Sequence, residues 1–285
     1  MSEPKKPWGG RFEKSPSRFL DEFGASLPID QRMWSEDIRG SIAHARMLAK
    51  QGIISQVDAD TIESDGSWDA GTAGAGCVLD AVDLALSGEA VRSFSAVRPP
   101  GHHALRGSGM GFCLFGNVAI AAHYARQVKK LDRVLIVDWD VHHGNGTQAL
   151  VEHDPNIRFV SMHQWPWYPG TGAHDDRGPH GNVWNVPMPA AQPREAYVGA
   201  LLSAVDKASE GFTPDLVIIS AGFDSLAGDP LGGFTLELDD VTRMTKELVS
   251  RAEQWCGGRL VSALEGGYAP QRLGEAAVTH MRALL

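Results

Sequence analysis

The run RVLIVDWDVHHGNG, residues 133–146, constrains this chain more than any other feature. It starts as an apolar strand and ends in two acids, two histidines and two glycines. Burying that much ionisable surface without partners costs several kcal/mol. The strand therefore ends either in a paired structural network or around something positive.

Five other segments share the strand pattern. Val91–Val97, Ile157–Ser161, Val183–Val186, Asp215–Ile219 and Arg259–Ala263 join Arg133–Val137 as short runs, most of them rich in Val, Ile and Leu. Between them, residues 117–130, 193–211 and 237–255 carry apolar residues at helical spacing. Alternating strands and helices predict an α/β fold, an open and mainly parallel sheet with helices on both faces. The segments after the strands fit that sheet. RPPGHHA, DWDVHHGNG, MHQWPWYPGTG, SAGFDSLAGDP and LEGGYA are polar, glycine-rich loops. In a parallel sheet they all reach the carboxyl edge, where open α/β folds bind ligands.

The residue types in those loops suit hydrolysis. Residues two apart share a face of an extended strand, so Asp138, Asp140 and His142 project roughly together. Asp140 and His142 offer two ligands to a metal, and Asp224 after the fifth strand offers a third. One histidine and two carboxylates leave an open position on a zinc-like ion. Such an ion lowers the pKa of its water and polarises a carbonyl. His102 and His103 suit proton transfer, with Asp138 and Asn145 as orienting partners. Tyr268, after two glycines, can donate to a developing oxyanion. The plainer alternative for Asp140, His142 and Asp224 is a structural ion-pair network.

Bulk numbers narrow the class. The chain has 285 residues, 43% hydrophobic and 21% charged, with a formal net charge of −9. That balance argues against broad nucleic-acid affinity and slightly favours basic substrates. Cys77, Cys113 and Cys256 show neither metal spacing nor a disulfide framework. The opening MSEPKKPWGG lacks the apolar stretch of a signal peptide, and no uninterrupted apolar run suggests a membrane span. A reduced, cytoplasmic setting is the expectation.

RPPGHHA, GFCLFGN, DWDVHHGNGTQ, YPGTG, AGFDSLAGDP and LEGGY resemble, in order, the motifs of the zinc-dependent histone deacetylase and acetylpolyamine amidohydrolase family. The resemblance runs from about Thr61 to the C-terminus, with HQWPWYPGTG more like bacterial class II-like deacetylases than polyamine amidohydrolases. It implies an arginase-like fold and hydrolysis of an N-acyl amide on a lysine-like or polyamine substrate. By motif position it makes Asp140, His142 and Asp224 the Zn2+ ligands, His103 the general base beside His102, and Tyr268 the carbonyl-polarising residue. It places Gly111, Phe112, Tyr168 and Leu231 on the wall of a narrow substrate tunnel; plain packing is the alternative for the apolar three. It also implies K+ or another monovalent cation near Asp138, Asp140 and His142, with the Ser161 and Met162 carbonyls contributing.

Residues 7–58 look different. WGGRF and FGASLPIDQRMWSEDIRGSIAHARMLAKQGIIS resemble the N-terminal segment of argininosuccinate lyase, with Ser26 in a substrate-binding segment but without catalytic neighbours. The expectation is a fusion, a mainly helical segment over 1–60 and a deacetylase-like domain over 61–285 that lacks the family's N-terminal edge strands. Residues 59–71 read as a polar junction. An exposed edge would favour self-association, and a fusion fragment that only binds zinc or an acyl-amine is the alternative to an enzyme. A two-metal ureohydrolase of the arginase type needs more aspartates than DWDVHHGNG provides, and lyase activity lacks its later catalytic loop.

Overall fold

The computed structural model describes Lys50 and residues 66–285. Residues 67–285 form one compact unit. The lyase-like stretch, within the mainly helical segment expected over 1–60, falls outside the described residues apart from Lys50, which is helical.

The unit opens with helix α1 (Gly66–Ser87), followed by β1 (Arg92–Ser95), α2 (Asn117–Gln127), β2 (Val134–Asp138), α3 (Asn145–Val151) and β3 (Ile157–Gln164). Then come β4 (Val183–Met188), α4 (Arg194–Ser209), β5 (Leu216–Ala221), α5 (Leu238–Cys256), β6 (Leu260–Leu264) and α6 (Pro270–Leu284). The six strands form one sheet in the order β1-β6-β5-β2-β3-β4. Every pairing is parallel.

Strand periodicity explains the three layers. Val134 and Ile136 of β2 face one core with Leu216 and Ile218 of β5 and Val261 and Ala263 of β6. Helices α1 and α2 cover that face through Val78, Val82, Val118 and Ala122. Leu135, Val137, Val217 and Ile219 point the other way, toward Leu201 and Val205 of α4 and Met244 and Leu248 of α5. Successive strand residues thus feed opposite cores, and the central strands read as continuous apolar runs because both faces are buried.

Helix α5 is strongly amphipathic and is bounded by local chemistry. Glu237 and Asp240 form a reciprocal capping box at its start, and Gly257 closes it in the left-handed region at φ 64°. Helix α1 differs from the expectation of a polar junction reaching residue 71. Residues 66–71 instead begin the helix. By length and composition its Ala70–Ser87 window could cross a membrane, although Asp80 and Asp83 interrupt it. Its Val78, Ala81, Val82 and Ala85 are buried against the sheet, which makes it a core helix of this unit. Short α3 and C-terminal α6 are further additions to the helices expected from spacing. Among the described residues β1 is an edge strand; whether the expected missing strands bear on it lies outside the described residues.

The chain runs outward from β2 through β3 to β4, then returns to place β5 on the other side of β2. The order reverses between β2 and β5. Open α/β sheets leave a crevice outside the carboxyl ends of the strands at such a point.

Candidate metal centre and active site

The ends of β2 and β5 lie side by side, with Asp138 in register with Ser220. Beyond that point the β2 loop turns on its own carboxylates. Asp138 Oδ1 accepts the Asp140 N–H at 3.1 Å, and Asp140 Oδ1 accepts the His142 N–H at 2.9 Å. Each acid closes a turn two residues on and keeps an oxygen for the site. From β5, Asp224 Oδ1 accepts the Val141 N–H at 2.8 Å. From β6, the Gly266 N–H reaches across β5 to Asp140 Oδ2 at 2.8 Å. That crossing requires Gly222 in β5's loop, because a Cβ there would collide with the Asp140 carboxylate.

Asp140, His142 and Asp224 consequently converge. Each offers a ligand atom within 4.8 Å of the others, and all three are buried. His142 Nδ1 lies 3.0 Å from Asp140 Oδ1 and 3.1 Å from Asp224 Oδ2. One N–H cannot point squarely at two acceptors, so a single proton is shared between two carboxylates. Burial would lower His142, but the two carboxylates outweigh it and raise its pKa to about 10. Burial would raise Asp140, yet the cationic His102 and His142 hold it well below the usual carboxylate range. Burial and the neighbouring Asp140 raise Asp224 to about 7. The cluster concentrates negative charge around one small gap, and an imidazole with two carboxylates is a donor set that suits a divalent cation. Among the described residues it is the one such cluster of three, which matches a one-metal rather than a two-metal site.

The tandem histidines stand beside it. Glu265, fully buried, accepts the N–H groups of Gly101 and His102 at 2.7 and 3.0 Å and anchors their loop. Burial raises Glu265 to about 7. His102 Nδ1 lies 3.0 Å from Asp138 Oδ2, and its Nε2 lies 3.7 Å from Asp140 Oδ1. Burial opposes charge on His102, but Asp140 and Asp138 dominate and hold it protonated well above its ordinary range. Asp138 itself is raised by burial, with His102 pulling the other way. His103, 4.0 Å from His102 between ring centroids, has a different partner. Its Nδ1 lies 2.7 Å from Asn145 Oδ1. An amide oxygen accepts, so Nδ1 carries the proton and Nε2 is left as a free base. Burial and the positive His102 lower His103 to about 3.

Above the cluster is a cavity of about 450 Å³ lined by His103, Gly111, Phe112, His142, Trp167, Tyr168, Leu231 and Tyr268. All four residues expected on the tunnel wall are there. Gly111 adopts φ 54°, and a Cβ at that position would overlap the His103 ring. The Tyr268 ring lies 5.9 Å from that of Phe112. Burial, then Asp140 and Asp224, raise the Tyr268 phenol, so it remains a proton donor. Ser161 faces Asp138 in the β2–β3 register and, like Met162, is fully buried.

Four positions around the site carry no individual expectation from sequence. His143 is buried but turned away: its Nδ1 lies 2.8 Å from Thr171 Oγ1 and its Nε2 2.9 Å from Gln148 Oε1. Glu265, Asp229 and Trp167 all sit in the glycine-rich loops that mark the site. The sequence signal for each is no more than an acid or aromatic inside such a loop.

The histone deacetylase domain profile matches residues 29–284. The chain belongs to the histone deacetylase family. A Pseudomonas aeruginosa protein named histone deacetylase-like amidohydrolase is 41% identical over 72% of this chain and 55% of its own length. An Archaeoglobus fulgidus protein named probable deacetylase is 35% identical over 91% of this chain and 72% of its own. The crystal structure of the HDA15 HD domain superposes with a TM-score of 0.70 at 39% identity, covering 75% of this chain and 63% of that one. The family match starts at residue 29, not near Thr61. Residues 29–58 therefore count within the deacetylase match, and no comparison supports their resemblance to argininosuccinate lyase.

Proposed function

We propose that this protein is a zinc-dependent amidohydrolase that removes an acyl group, most simply acetyl, from a lysine-like or polyamine amine. The observation that carries this reading is one cavity lined by His103, Tyr268 and His142, the last of which converges with the buried Asp140 and Asp224. Asp140, His142 and Asp224 would hold zinc, which when bound polarises the amide carbonyl and acidifies water.

The chain's own groups supply the remaining roles. His103, neutral and with Nε2 free, takes a proton from the attacking water. Asn145 fixes that tautomer. The Tyr268 hydroxyl donates to the oxyanion that develops on the carbonyl. His103 then gives its proton to the departing amine, while His102, kept cationic against Asp138, stabilises the negative charge beside it. Gly111, Phe112, Tyr168 and Leu231 enclose the methylene chain with mainly apolar surface. We extend the reading to a monovalent cation beside Asp138, supported by the facing positions of Asp138 and Ser161.

The test is deacetylation of a fluorogenic acetyl-lysine substrate by the full chain, with and without added zinc. Zinc-dependent turnover is expected in the wild type. Tyr268→Phe is expected to lower kcat about 10²- to 10³-fold while bound zinc stays stoichiometric. A folded, zinc-loaded wild type without turnover on acetyl-lysine or acetylpolyamine substrates would replace this reading with that of a zinc- or acyl-amine-binding protein.

A further inference from the structure

Among the loops that line the cavity, those following β3, β5 and β6 are linked through one carboxylate. Asp229 is buried, only 7% exposed. Its Oδ1 accepts the Leu231 N–H at 2.9 Å, and its Oδ2 accepts the Tyr268 N–H at 2.7 Å. The Leu231 carbonyl in turn accepts from Trp167 Nε1 at 2.9 Å. Tyr268, Leu231 and Trp167 all line the cavity. A continuous chain of hydrogen bonds thus runs from the phenol-bearing loop through Asp229 to the aromatic residue at the mouth.

We infer that Asp229 is the positioning residue of the substrate cavity, setting the Tyr268 loop at the reacting end and the Leu231–Trp167 wall at the entrance with one side chain. The inference rests on the reading of Tyr268 as oxyanion donor. Two backbone donors need two acceptor oxygens, and a carboxylate supplies both without a proton of its own to misplace. Tyr268 follows Gly266 and Gly267, and Gly267 has φ 137°. A loop with that conformational freedom does not hold its tyrosine by local structure. The backbone N–H of Tyr268 itself is where an external tether has most leverage on the ring. Asp229 can also move both ends together, because its other oxygen holds the residue whose carbonyl anchors Trp167.

The discriminating experiment is a double-mutant cycle of Asp229→Asn and Tyr268→Phe in the zinc-loaded full chain, with kcat and KM measured separately. Asparagine keeps the size but offers one acceptor in place of two. With Tyr268 intact, kcat is expected to fall between about ten- and a hundredfold through misplacement of the phenol, and KM to rise. In the Tyr268→Phe background the same substitution is expected to change kcat less than about twofold, because no hydroxyl is left to position. Equal kcat losses in both backgrounds, or no loss in either, would overturn the proposal and leave Asp229 a stabilising residue only. If Asp229→Asn does not fold, Asp229→Glu, which keeps both acceptors but displaces them, takes its place in the cycle, and equal kcat losses in both backgrounds, or no loss in either, would overturn the proposal. A wild type without turnover would sink the deacetylase reading itself. The tether would then be judged by amide exchange of Leu231 and Tyr268, which Asp229→Asn should accelerate and which would overturn it if unchanged.

Discussion

The chain carries two His-His pairs at the same sheet edge, and they divide in the same way. In the first, His102 meets the carboxylates of Asp138 and Asp140, while His103 meets the amide of Asn145. In the second, His142 meets the carboxylates of Asp140 and Asp224, while His143 meets the amide of Gln148 and the hydroxyl of Thr171. The carboxylate-paired member of each couple is pushed up and the amide-paired member down to about 3. Burial acts in the same direction on all four, so partner chemistry decides the charge. The two amide-paired rings nonetheless have different uses. His103 opens onto the cavity, whereas His143 stacks against His163 at 4.8 Å inside the fold.

The largest disruption of this parallel comes from removing the carboxylates that define it. Asp140→Ala should abolish zinc binding and reduce turnover to background, because it deletes a ligand and also uncovers His102 and His142. Metal content by elemental analysis, read beside activity, checks this; retained stoichiometric zinc would place the metal elsewhere.

The next contrast lies between the two amide-paired rings. His103→Ala should lower kcat about 10²- to 10⁴-fold with zinc retained, the range for loss of a general base. His143→Ala should act mainly on stability, lowering the thermal midpoint while surviving folded protein keeps most of its kcat. Similar kcat losses in the two variants would erase the distinction.

A finer test converts one partner type into the other. Asn145→Asp places a carboxylate against His103 Nδ1, which favours the imidazolium and raises its pKa from about 3. The base must be unprotonated to work, so the acid limb of kcat/KM should move to higher pH. An acid limb that stays in place would show that His103 is not the titrating base.

The smallest effect is on folding. His143 and His280 are buried neutral, their pKa values lowered by burial to about 3 in the folded protein. Unfolded histidine titrates near about 6.5, so the unfolded chain binds more protons between those values. The stability from keeping these rings neutral is whole above about pH 6.5 and is lost progressively as pH falls toward about 3. Chemical denaturation across that window should show the slope, and His280→Gln should flatten it slightly. The His280 Nδ1 and Nε2 contact the Thr245 and Ser262 hydroxyls.

Much of this is legible in the chain. All six strands can be placed to within a few residues, because β-branched runs bounded by glycine-rich loops leave little choice of state. The loops trace to one edge because parallel strands put all their carboxyl ends there. Helix α1 escapes such a reading for a compositional reason: glycine and alanine dilute its apolar face, and a polar start masks its first turn. Asp229 and Glu265 escape it because each acts on backbone N–H groups, and a tether to backbone leaves no paired side-chain motif to notice. The lyase resemblance of residues 7–58 stands without support from the comparisons, because a local likeness over a short segment carries no test of the fold around it.

Residue order alone was enough for the family, the α/β class, the succession of site loops along the chain and the donor types Asp140, His142 and Asp224. Folding in three dimensions settled the rest: which histidine of each pair is charged, which residues tie the cavity wall and where Asp138 directs its oxygens. The reason is physical. Side-chain chemistry is local and can be read residue by residue. Desolvation and partner identity depend on contacts such as His102 to Asp138, Asp140 to Gly266 and Asp229 to Tyr268. These exist only once the reversal of sheet order brings distant loops together.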